Sequence, residues 1–192
     1  MGLPPTIWTI GHSTRSLEQF IDSLRAQGIE RLVDVRTVPR SRHNPQFNRD
    51  VLPETLHNRR IHYTHLRELG GLRHARKDSP NTGWRSASFR GFADYMLTAE
   101  FDAGLNKLIA MARVERVAIL CAEAVPWRCH RSLIADALTA RGIPVQHILS
   151  AGSTRPHSLT PFATVEGERV AYPPENPVLD LAAYSKASEE DA

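Results

Sequence analysis

Apolar residues along this chain follow two alternating rhythms. The run 116–120 is a short apolar stretch of the kind a covered sheet uses, and 6–10, 31–35 and 145–149 read as further strands. Between them Leu17, Phe20, Ile21 and Leu24 recur at helical spacing. Ser16 and Gln19 stand in capping-box order before that stripe, and Gly28 is placed to end it. A helical pattern from about Phe89 carries the stripe Phe101, Leu105, Leu108, Ile109 and Ala112, and residues 132–138 carry another. A further helix is expected near 51–58 and a short strand near 61–64. Strands joined through helices imply parallel, right-handed connections. The expectation is a single α/β domain over 1–175, with a mostly parallel sheet flanked by helices in Rossmann-like layers. A hairpin-like appendix around Gly167 falls within 157–173, and a flexible acidic tail is expected over 176–192.

Composition sharpens this only in places. The 192 residues, 41% hydrophobic and 23% charged, suit one soluble domain with a real core. No run is long enough to span a membrane, and the first residues lack the basic and apolar regions of a signal peptide. No membrane partner is expected, and the expected location is the cytoplasm. Two cysteines are too few for a disulfide scaffold and are expected as thiols. The net charge of +3 hides an uneven distribution: residues 36–77 hold ten Arg/Lys against three Asp/Glu, or +7, leaving −4 for the remainder. Such a block is either a solvated face or a surface for an anionic partner. Residues 69–84 form a long basic loop, a length that usually marks function or mobility.

Candidate chemistry gathers where strands end. Gly11-His12-Ser13, Asp34-Val35-Arg36, His62-Tyr63 and Cys121-Ala122-Glu123 each close an expected strand with polar residues. In a parallel sheet such ends share one rim, where ligands and catalytic groups collect. Cys121 lies between a strand end and a helix, with Arg128 and Arg131 nearby, a setting that favours a thiolate. The plain alternative is a small buried residue. Six residues separate Cys121 from Arg128, and Glu123 and Pro126 interrupt the backbone donors. The segment therefore departs from the oxyanion cradles of rhodanese and tyrosine-phosphatase loops. Cys121, Cys129 and His130 are metal-ligand candidates, because thiolate and imidazole suit zinc or iron. Glu123 is a candidate acid/base, and His12 and His130 candidate proton carriers or orienting groups. Ser13, Asp34, Arg36, Arg40, Arg42, Arg128 and Arg131 are candidate substrate-binding groups, since guanidinium holds phosphate or carboxylate through two hydrogen bonds. Trp84, Phe89 and Tyr95 could stack on a base or pack internally.

Several of these segments together carry a likeness. Thr9-Ile10-Gly11-His12-Ser13, Val33-Asp34-Val35-Arg36 with Pro39 and Ser41, Leu69-Gly70-Gly71, and Cys121-Ala122-Glu123 followed by Cys129-His130-Arg131 resemble the bacterial domain-of-unknown-function family 488. The likeness runs from about Thr6 to Ile148, and His157-Ser158-Leu159-Thr160 with Ala171-Tyr172-Pro173 is similar to that family's ending. It implies an α/β domain and a set of signature positions, and no activity.

The favoured expectation is a cytoplasmic enzyme acting on a phosphate-bearing or nucleic-acid-derived substrate, with Cys121 as nucleophile or redox-sensitive group. A nucleic-acid-binding module without catalysis and a metal-dependent hydrolase are the rivals. Cofactor, metal and oligomeric state are left open at this point.

Overall fold

The apolar runs and helical stripes form their elements for the reasons their spacing implies. The computed structural model describes residues 4–174; the acidic tail at 176–192 lies outside the described residues. In chain order the elements are β1 (Ile7–Gly11), α1 (Leu17–Ala26), β2 (Arg31–Asp34), α2 (Leu52–His57), β3 (His62–His65), α3 (Ala87–Tyr95) and α4 (Ala99–Ala112). Then come β4 (Val117–Cys121), α5 (Arg131–Ala140), β5 (Val145–Ser150), β6 (Ser153–Pro156), β7 (Thr164–Glu166) and β8 (Arg169–Ala171). The capping box of α1 is present in both directions, Gln19 N–H to Ser16 Oγ and Ser16 N–H to Gln19 Oε1, each 3.2 Å.

The sheet order is β3-β2-β4-β1-β5-β6, with every pair parallel except β5 and β6. The strands β1 and β2, consecutive along the chain, are thus separated by β4. Alternate residues of each strand enter different cores. Ile7, Val33, Val117, Ile119 and Val145 pack with α3, α4 and α5, while Trp8, Ile10, Leu32, Ala118 and Leu120 pack with α1 and α2. The outcome is a single α/β domain with helices on both faces of a mostly parallel sheet.

Two features differ from the sequence pattern. The helical stretch from Phe89 to Ala112 is two helices, because Thr98 ends one and caps the next. Its hydroxyl donates to Tyr95 O at 2.7 Å and accepts from Phe101 N–H at 3.3 Å. The antiparallel edge strand β6 carries no apolar alternation, and all four of its residues are exposed.

The segment after β6 folds back as expected, β7 and β8 pairing around Gly167 at φ +60°. Buried Asp136 of α5 fastens it, accepting from Thr160 N–H (3.0 Å), Thr160 Oγ1 (2.7 Å), Tyr172 OH (2.7 Å) and His157 Nε2 (2.8 Å). From His157 the chain of bonds continues to His147 (3.0 Å) and on to Thr9 (2.7 Å) inside the sheet. The basic loop 69–84 is likewise held: buried Asp94 accepts from Arg76 N–H, Ser79 Oγ and Asn81 Nδ2 at 2.6–2.8 Å. No helix among the described residues is long and apolar enough to cross a membrane.

Candidate active site

Register places the candidate groups on adjacent strand ends. Gly11 pairs with Cys121 across β1 and β4, and Asp34 pairs with Leu120 across β2 and β4. The ladder runs on past the strands through His12 N–H to Cys121 O (3.1 Å), Ser13 N–H to Ala122 O (2.8 Å) and Val35 N–H to Leu120 O (3.1 Å). His12, Cys121 and Arg36 therefore emerge side by side at the centre of the sheet's carboxyl rim. They line a cleft of about 640 Å³ together with Ser13, Arg40, Glu123, Arg128, Cys129 and His130.

At its floor the thiols of Cys121 and Cys129 are both free and buried. His130 Nδ1 lies 3.8 Å from Cys121 Sγ and 3.6 Å from Cys129 Sγ, while its Nε2 lies 3.2 Å from the carbonyl of Val35. Contact with the Cys129 thiol lowers the pKa of Cys121 well below the usual thiol range, against the opposing effect of burial and with help from His130 and Arg131. The same contact, with burial, pushes Cys129 up. The two shifts run in opposite directions and belong to the pair, which titrates as a unit.

His12 is buried and stacks on Phe47 with ring centroids 4.5 Å apart. Its Nδ1 faces Ser13 O at 2.9 Å and so carries the proton; Nε2 accepts from Arg36 Nη1 at 3.4 Å. Burial, reinforced by the Arg36 charge, lowers its pKa and keeps the ring neutral. Ser13, at φ +47°, holds the chain in the left-handed region at the rim, a sparsely populated conformation for a non-glycine residue.

Not every candidate reaches the cleft. Asp34 lies behind it, fully buried, gripping Arg36 through its Nε (2.9 Å) and Nη2 (2.5 Å) and accepting from Tyr63 OH at 2.8 Å. Arg36 also donates to Phe47 O at 2.7 Å, so only part of its guanidinium faces the cleft. Arg131, expected at the anion, is 1% exposed beneath the loop instead, donating to Glu123 O (2.6 Å) and Ala124 O (2.7 Å). Arg42 is not among the lining residues. His62 pairs with Glu115 at 2.5 Å, away from the cleft. Of the three aromatic candidates, Phe89 lines the cleft, Trp84 packs against Phe89, Phe162 and Tyr172, and Tyr95 lies under Arg73.

Sequence reasoning had no functional role for Gly71, Thr37, Val38 or Leu72, which also line the cleft. For Gly71 a signal did exist in the Leu69-Gly70-Gly71 motif. A Cβ on Gly71 would stand 2.5 Å from His130 Nδ1, so only glycine lets the loop pass over the imidazole. Gly11 has the same reason: its Cβ would meet Glu123 O at 1.8 Å.

The fold and cleft define an α/β protein whose candidate site residues gather at the carboxyl ends of three central parallel strands. Comparison with known families adds the next step. The model of the family described as Domain of unknown function DUF488 matches residues 16–138, more than half of the chain, and the chain belongs to that family. The matched stretch takes in Asp34, Arg36, Gly70, Gly71 and the run from Cys121 to Arg131, and leaves Thr9 to Ser13 outside. No curated protein and no solved structure gives a significant match.

Proposed function

We propose that this chain is an enzyme that takes a small phosphate-bearing or nucleotide-like anion into the cleft and carries out hydrolysis or group transfer on it. The observation that supports this most is the meeting, in one cleft, of two thiols and an imidazole at the floor with Arg40 and Arg128 on the walls. Neither Arg40 nor Arg128 has a carboxylate partner among the described ion pairs, in contrast to Arg36, so both guanidiniums are available to a ligand anion. Val38 and Leu72, 60% and 72% exposed at the rim, with Phe89, offer an apolar wall for a ring carried by the anion. In this reading Glu123, exposed at the mouth, exchanges protons with the substrate. His12, whose two nitrogens are engaged, orients Arg36. The cytoplasm is the fitting compartment, since neighbouring thiols stay reduced there.

Calorimetric titration with inorganic phosphate and a nucleoside monophosphate tests the reading. Wild type should bind, and the double variant Arg40→Ala, Arg128→Ala should bind at least about tenfold more weakly, the loss of one charged hydrogen bond or more, with a flatter salt dependence. Equal affinity in the two proteins would remove the cleft as an anion site. Tight, salt-dependent oligonucleotide binding that survives Cys121→Ser would instead favour a binding module without catalysis.

A further inference from the structure

We propose that Cys121, Cys129 and His130 together hold one divalent transition-metal ion of the zinc or ferrous-iron class, with its remaining coordination position open to the cleft. The role of that open position rests on the reading of the cleft as a reaction site; the metal site itself does not.

The argument begins with the imidazole. A carbonyl oxygen only accepts, so the His130 nitrogen facing Val35 O carries the proton, and Nδ1 presents its one lone pair. Both sulfurs flank that lone pair, at 3.6 and 3.8 Å. A single thiol proton can serve only one pair among these three atoms at a time. A metal ion gives all three atoms one partner. With metal–sulfur bonds of about 2.3 Å, metal–nitrogen bonds of about 2.0–2.1 Å and tetrahedral angles, sulfur and nitrogen should stand about 3.6 Å apart. The two observed separations fit, and all three ligand atoms lie within 4.8 Å of one another. The bond from Nε2 to a backbone carbonyl is also the outer support that fixes ligand histidines in known metal sites.

Donor type and charge select the ion. Two thiolates and an imidazole suit zinc or iron and disfavour magnesium or calcium, which seek oxygen. Two thiolates neutralise a divalent cation, so the buried group as a whole carries no net charge. Binding forms two metal–sulfur bonds and one metal–nitrogen bond and releases to solvent whatever protons the two thiols carry; no oxidant or reductant takes part. Cys121, Cys129 and His130 all line the cleft, so a fourth ligand reaches the ion from that side. Three protein ligands plus an exchangeable one is the pattern of catalytic rather than closed structural zinc.

The test uses the full chain, reduced, stripped with a chelator and titrated with zinc chloride against a chromophoric competitor. One equivalent should bind with proton release, and cobalt(II) in its place should give thiolate charge-transfer and tetrahedral d–d absorption. Cys129→Ser and His130→Ala, each checked for folding by circular dichroism, should lose more affinity than the roughly 10–100-fold that an outer-shell change costs. Zinc should also protect both wild-type thiols from iodoacetamide until chelator is added, a readout that needs no variant. Absence of stoichiometric binding, binding unchanged in both variants, or thiols that react equally with and without zinc would each overturn the proposal. Zinc binding without phosphate binding would sink the anion-cleft reading and leave the metal site. Phosphate binding by zinc-indifferent protein would do the reverse.

Discussion

At the residue scale, Gly71 is the sharpest test of how the centre is held. Gly71→Ala places a methyl carbon 2.5 Å from His130 Nδ1, so the ring or the loop must shift. The expected outcome is a folded protein, by circular dichroism, whose zinc affinity falls by about 10–100-fold, as for loss of an outer-shell support. Unchanged affinity would mean that the loop yields and the ring does not. Cys121, Cys129 and His130 were legible as candidates from residue type and position after a strand. The dependence on Gly71 was not, because 59 positions separate it from His130 and local periodicity carries no information about such contacts. The same limit explains Arg131. Two guanidiniums before a helix read alike, and only the folded loop shows that Arg128 faces the cleft while Arg131 turns under it to two carbonyls.

At the element scale, α5 does more than follow β4, for its first residue ties down the loop that bears Glu123. Arg131→Lys keeps the charge and loses the planar fork that reaches both carbonyls. A loss of about 2 kcal/mol in urea unfolding, at unchanged m-value, is the expected cost of one buried charge-assisted bond. A variant within a few tenths of wild type would show the clasp to be dispensable. The elements most easily read were those with a complete local signal. The capping box of α1 and the all-apolar core of β4 needed nothing beyond their own residues. Thr98 also bears a capping residue's side chain, yet the apolar stripe continues across it and hides the break. Strand β6 had no stripe at all, since its pairing with β5 comes from backbone hydrogen bonds along an exposed edge.

At the scale of the whole molecule, the bonded chain from Thr9 through His147 and His157 to Asp136 links sheet, helix and C-terminal appendix. It also makes stability depend on pH. Burial, then the His157, Arg131 and Arg155 charges, lower the pKa of His147 to about 3, with Asp136 opposing. In the unfolded chain the imidazole titrates near 6.5. Between those values the unfolded state binds more protons, so this stabilisation is full above pH 6.5 and declines as pH falls. His12, lowered chiefly by burial and further by the Arg36 charge, against the Ser13 carbonyl bond, Cys121 and Asp34, acts with the same sign. On the order of 1 kcal/mol should be lost through His147 between pH 7.5 and 5.5. Urea midpoints across that range measure it, and His147→Asn should flatten the slope; a profile as steep in the variant would clear His147 of the effect. The α/β class and the gathering of strand ends on one rim were legible, because a strand–helix alternation permits few other topologies. The strand order was not, as no local pattern says which strand enters between which.

That order ties synthesis to the making of the cleft. The ribosome delivers β1, α1 and β2 long before β4, yet β4 belongs between the two strands, so the first half of the chain leaves the ribosome with an open slot and two unpaired strand edges. The pairing that fills the slot also carries Cys121 to its place beside His12 and Arg36. Closing the sheet and bringing Cys121 beside His12 and Arg36 are one event, so the cleft takes shape only when β4 enters the slot.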